Sequence, residues 1–135
     1  MLTVFQGSGS INEKLRKEWD AERKIEHKFN RIINISTSKV MEMVKDRKPM
    51  IFSNFHYGSI GINPKYLVIW YLFEKDSELK EAESNGLLNE LKQLTIFELK
   101  ANGYPEDVLD EIQIAFASDE DIQKETNGNY YYYFK

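Results

Sequence analysis

Residues 65–73, KYLVIWYLF, constrain the fold more than any other stretch of this chain. After Lys65 the run is uncharged, β-branched and aromatic, which is the composition of a strand. Side chains alternate along a strand. Leu67, Ile69, Tyr71 and Phe73 therefore share one face, and Tyr66, Val68, Trp70 and Leu72 share the other. Both faces are apolar, which predicts a central strand covered on both sides. Such a strand needs neighbours at two edges and packing against two faces.

The neighbours can be read from the rest of the sequence. Residues 50–57, MIFSNFHY, predict a strand, and Gly58-Ser59-Ile60-Gly61 with Asn63-Pro64 supply turn chemistry, so the two runs form a hairpin. Ile112, Ile114 and Phe116 alternate with Gln113, Ala115 and Ala117, giving a third strand. The chain ends in NGNYYYYFK. Asn127-Gly128 makes a tight turn, and the tyrosines predict a fourth strand, with Tyr130, Tyr132 and Phe134 on one face and Tyr131 and Tyr133 on the other.

The remaining segments have helical spacing. Ile11, Leu15 and Trp19 are four apart, and Ile25, Phe29, Ile32, Ile33, Ser36, Val40, Met43 and Val44 extend the stripe. Residues 11–46 are read either as one helix of about 50 Å or as two with a break near Ser36-Thr37-Ser38, where helix propensity is weak. Pro49 ends the segment. Ser77 is placed to cap a helix over 78–84, with Asn85-Gly86 as its stop. Leu87, Leu88, Leu91, Leu94, Thr95 and either Phe97 or Leu99 mark a second helix that runs to Asn102, with Gly103 as its C′ glycine. Pro105 opens a short helix, PEDVLDE. Ser118 followed by Asp121 resembles a capping box for a turn or two over 119–125.

The order α-β-β-α-α-β-β, with that short turn before the last strand, predicts an α+β fold. Its sheet is four-stranded and mostly antiparallel, formed by two strand pairs on either side of a helical block. The block at 77–102 is expected on one face of the sheet and the long N-terminal helix on the other, giving three layers.

A length of 135 residues fits one domain, placed at 11–135. Residues 1–10 are read as a flexible start; Phe5-Gln6-Gly7-Ser8 is similar to the scar of a cysteine-protease tag site. There is no cysteine, so disulfides, thiolate metal ligands and a cysteine nucleophile are excluded. No apolar run reaches the roughly 20 residues of a membrane helix, and the start does not resemble a secretory signal; a cytoplasmic protein without a membrane partner is expected. Charge is uneven. Residues 1–49 carry 11 basic and 7 acidic side chains, whereas residues 50–135 carry 7 basic and 15 acidic. An acidic body argues against nucleic acid as a partner.

No motif names a reaction. The histidines are His27, in a charged helical stretch, and His56, beside a glycine turn, and neither has a nucleophile or carboxylate at catalytic spacing. HYGSIG lacks a phosphate-loop pattern, and Ser118-Asp119-Glu120-Asp121 lacks a calcium-loop pattern. No catalytic residue, cofactor or metal is expected. The informative features are tyrosine and acid. Tyrosine suits half-buried positions with a hydrogen-bonded hydroxyl and is enriched where proteins touch. Acidic clusters lie at 74–83, 106–111 and 119–121, after strands or at helix starts, so they gather at one or two edges of the domain. They suit electrostatic steering toward a basic protein.

In general character the chain resembles small acidic immunity-type or inhibitor-type proteins that neutralise basic partners. The expected contact residues are Tyr57, Trp70, Glu106, Asp107, Asp110, Glu111, Asp119, Glu120, Asp121, Tyr131 and Tyr133. The alternatives are a small-ligand or catalytic domain centred on residues 56–61, and a homodimer formed through the sheet or the long helix.

Overall fold

The structure, a computed structural model, describes residues 2–127, 129 and 134, the first ten of these by backbone alone. The apolar run forms strand β2, Val68–Phe73, at the centre of the sheet, as its two apolar faces require. Strand β1, Ser53–Tyr57, pairs antiparallel with β2 and places Phe55 opposite Trp70 and Tyr57 opposite Val68. A 3₁₀ turn at Pro64–Tyr66, capped by the Asn63 side chain on the Lys65 amide at 3.0 Å, leads into β2.

Strand β3, Gln113–Ser118, lies on the other edge of β2 and runs parallel to it, with Ala115 beside Trp70 and Ala117 beside Leu72. The sheet is therefore mixed and, among the described residues, three-stranded, not four-stranded and mostly antiparallel. The reason lies between β2 and β3. Helices α2 (Asp76–Ser84) and α3 (Leu87–Ala101) separate the strands. A connection of that length can carry the chain back to the end where β2 began, as parallel pairing demands. The expected tyrosine strand lies outside the described residues, since 130–133 are not among them.

Helix α1 is continuous over Leu2–Met43, 42 residues or about 60 Å. The break considered near residue 36 does not occur. The Ser36 hydroxyl donates to the Ile32 carbonyl at 2.7 Å and that of Thr37 to the Ile33 carbonyl at 3.0 Å. Both hydroxyls are satisfied inside the helix, so burying them leaves no orphaned polar group.

Among the described residues the long helix does not cover the second face of the sheet, the place expected for it; helix α4 (Asp119–Thr126) covers that face only in part. Phe29, Ile32, Ile33, Val40 and Val44 of α1 join Leu87, Leu91 and Leu99 from the α3 segment in one core with Ile69, Tyr71 and Phe73. Both helices lie on the same face of the sheet. Side by side, each buries its single apolar stripe against the other and against β2 together. Polar bonds fix the pairing: Asn102 donates to the Ser36 hydroxyl at 3.2 Å, and Lys39 reaches Glu98 at 4.0 Å.

The local helix signals behave as the sequence predicts, with small shifts. The Glu78 carboxylate accepts from the Lys75 amide at 3.0 Å, so the cap of α2 is Lys75, two residues before Ser77. Pro105 opens a single 3₁₀ turn, Glu106–Val108, in place of a longer helix. Ser118 accepts from the Asp121 amide at 3.0 Å and caps helix α4, Asp119–Thr126.

Candidate functional site

With α1 and α3 on one side, the opposite face of the sheet is left to other groups. Strand alternation and register place Phe55 and Tyr57 of β1, Val68, Trp70 and Leu72 of β2, and Ala115 and Ala117 of β3 on it. Leu72 and Ala117 are buried beneath Ile122 of α4, which forms a small second cluster with them. Phe55 and Trp70 are half-buried, and Tyr57 retains 42% exposure.

The aromatic side chains are organised. The Trp70 indole donates to the Tyr57 hydroxyl at 3.2 Å. Phe55 stacks with Tyr57 at a centroid separation of 6.2 Å. The ring of Phe134 meets Phe55 edge-on at 4.9 Å and Trp70 at 4.6 Å. Ala115, next to Trp70 in the register, is too small to cover the indole from its side.

This face is bordered by acid at both ends. Strands β2 and β3 are parallel, so the segments that follow them meet. The Asp76 amide donates to Glu120 at 3.2 Å, the Ser118 hydroxyl donates to the Asp76 carboxylate, and Lys124 lies 3.4 Å from Asp76. The Ser118 hydroxyl, with help from Lys124, holds the Asp76 carboxyl below its ordinary range. Two acidic clusters, 74–83 and 119–121, thus form one acidic end. The third, at 106–111, lies at the opposite end of β3, about 20 Å away. Glu111 there borders a shallow hollow with Lys65, Val68 and Gln113, and Glu106 pairs with Lys100 at 3.0 Å.

Of the expected contact residues, Tyr57 and Trp70 come together. Asp119, Glu120 and Asp121 stand in the first turn of the helix that packs on the same face, and Glu111 stands at the far end. Glu106 and Asp107 lie in the 3₁₀ turn and Asp110 in the turn after it, near α3. Tyr131 and Tyr133 lie outside the described residues.

Sequence reasoning missed Phe55 and Phe134. Their place depends on the hairpin register and on where the chain returns, and no local pattern encodes either. It also missed an open groove of about 520 Å³ in which Met50 and Phe52 meet Glu74, Glu78 and Glu81 beside Lys48. Met50 is 58% and Phe52 53% exposed, although the Phe52 amide still donates to the Leu72 carbonyl at 2.7 Å just before β1 begins.

His56 is on the helix-covered face. Its Nε2 is 2.7 Å from the Asn30 side-chain oxygen, and burial lowers its pKa below the ordinary value. The neighbouring glycines have packing roles. A Cβ on Gly58 would collide with the Tyr66 carbonyl, at a φ of +128°. A Cβ on Gly61 would lie 2.8 Å from the Glu22 carbonyl of α1. Among the described residues no three acidic or histidine side chains are grouped to hold a metal ion, and no helix is long and apolar enough to cross a membrane.

Comparison with models of protein families, with curated proteins and with solved structures gave no match.

Proposed function

We propose that this chain is a non-enzymatic protein-binding protein of immunity or inhibitor type, whose sheet face seats a basic partner. One observation carries the reading: Phe55, Tyr57 and Trp70 form a half-open aromatic surface on the face away from α1 and α3, with carboxylates at both ends. Aromatic anchors inside a charged rim are the usual anatomy of a contact surface. The acidic rim raises the association rate of a basic protein and penalises an acidic one.

The test is affinity capture with wild-type protein, with Trp70→Ser, and with Asp119, Glu120 and Asp121 all changed to lysine. The wild type is expected to retain one stoichiometric basic protein, more weakly as salt rises. Trp70→Ser should lose it, and the lysine variant should slow its association at least tenfold. Equal retention by all three proteins contradicts the reading.

A second reading has its own observation. Upstream of Phe29, α1 leaves Leu15, Trp19 and Ile25 exposed within about 120° of its surface. A helix face of this kind suits pairing with a second copy. Light scattering over a dilution series should then show a dimer that Trp19→Glu dissociates; a monomer at every concentration removes this reading.

A further inference from the structure

A second surface lies at the end of the sheet where β2 gives way to α2. Pro49, Met50, Ile51 and Phe52 form one wall of the open groove there, and Glu74, Glu78 and Glu81 line it with them. More than half of Met50 and of Phe52 is open to water. Apolar side chains gathered in one place and rimmed by polar groups mark a docking surface. The wall is also fixed. Pro49 is buried, Asn85 donates to the Lys48 carbonyl at 2.9 Å, Arg47 pairs with Glu90, and the Phe52 amide bonds to the Leu72 carbonyl. A surface held in place beforehand gives up little freedom when something binds it.

Charge selects the occupant. Three carboxylates line the groove against one cation, Lys48. Glu78 gives Oε1 to the Lys75 amide and keeps its other oxygen. Among the described residues no ion pair engages Glu74, Glu78 or Glu81. A purely apolar segment laid in the groove would take water from these carboxylates and return nothing. A cationic one supplies the missing charge. Arginine fits the two walls together: its methylenes lie along Met50 and Phe52, its guanidinium stacks on an aromatic ring, and its five donors serve more than one carboxylate. Lysine brings only a point charge. We propose that this groove binds an arginine side chain, set beside an apolar residue, on the basic partner. The proposal rests on the reading of the chain as a binder of a basic protein and names the side chain that the partner must present. The three carboxylates belong to the acidic end that borders the aromatic face, so the groove extends that surface.

The test uses the full chain, isotope-labelled, and a short capped peptide of alternating leucine and arginine as the probe, with lysine and glutamate counterparts. The backbone amide signals of Met50, Phe52 and Glu81 report on the groove. The arginine peptide should shift them saturably, and less as salt rises. The lysine peptide should need about threefold more for the same shift, and the glutamate peptide should give none. Glu74→Lys and Glu81→Lys together, at two exposed positions outside any described ion pair, should weaken the arginine peptide about tenfold. Phe52→Ser should remove the preference for arginine over lysine. Equal response to the arginine and glutamate peptides overturns the proposal, as does unchanged binding by the double lysine variant. Equal binding of the arginine and lysine peptides by the wild type overturns the assignment to arginine, and a shift confined to Tyr57 and Trp70 overturns the groove. A captured protein lost by Trp70→Ser but held equally by wild type and the double lysine variant would leave the aromatic face standing and remove the groove. Binding of the arginine peptide with no protein captured would keep the groove and remove the protein partner.

Discussion

The two faces of β2 are equally apolar in sequence and have opposite fates. On one, Ile69, Tyr71 and Phe73 are fully buried beneath α1 and α3. The Tyr71 hydroxyl is 2.7 Å from that of Thr95, and burial pushes its pKa up to about 12. On the other, Leu72 is buried by one small helix, while Trp70 remains half-buried and reaches a partly exposed Tyr57. The difference is one of cover. A strand's apolar pattern states that a face will leave water; it does not say whether the chain itself or something else will cover it.

This contrast can be broken or sharpened by mutation. The largest effect is expected on the covered face. Leu91→Ala should cost about 2–5 kcal/mol, the range for a fully buried leucine, measured by urea unfolding. Thr95→Val should cost about 1–3 kcal/mol, because the Tyr71 hydroxyl loses its partner where water cannot replace it. Tyr57→Phe, across the sheet, should cost less than about 1 kcal/mol, since the Trp70 indole it abandons can turn to water. A loss from Tyr57→Phe as large as that from Thr95→Val would erase the distinction.

A pH dependence belongs to the covered face as well. Burial places the folded-state pKa of His56 below its ordinary 6.5. Above that value both folded and unfolded chains hold the ring neutral, and its contribution is complete. As pH falls below 6.5 the unfolded chain takes up the proton first, so stability declines until the folded pKa is passed. Unfolding midpoints should drop on going from about pH 7 to about pH 5.5, and His56→Gln should remove part of that slope. An unchanged slope would mean the ring is solvated. The smallest effect is expected at the acidic end, where Lys124→Ala should change stability by less than about 1 kcal/mol, because the ion pair to Asp76 leaves Lys124 65% exposed.

What the sequence made legible was local. The centrality of β2, the Ser118 cap of α4 and the helix stops at Gly86 and Gly103 depend on neighbours a few residues away. What it left open was the long-range arrangement. Ser36 and Thr37 lower helix propensity, but a hydroxyl that bonds back four residues removes the reason for a break. The side on which α1 packs depends on its fit to α3, which no periodicity states. The direction of β3 had the widest consequence. Parallel pairing brings the starts of α2 and α4 together and joins the acid of 74–83 to that of 119–121. Antiparallel pairing would have joined 74–83 to 106–111 instead. Of the candidate surface, Tyr57 and Trp70 were singled out by residue type and lie together, while Phe55 and Phe134 needed the register and the long-range path of the chain.

The central claim is that one face of the sheet holds the fold and the other is kept for contact. Ile69 and Trp70 are adjacent in β2 and point to opposite faces, so urea unfolding of Ile69→Ala and Trp70→Ala tests it most directly. The account predicts a loss of about 2–5 kcal/mol for Ile69→Ala and less than about 2 kcal/mol for Trp70→Ala. A Trp70→Ala loss of about 3–5 kcal/mol, the cost of removing a core aromatic, would make that face a second core and contradict the account.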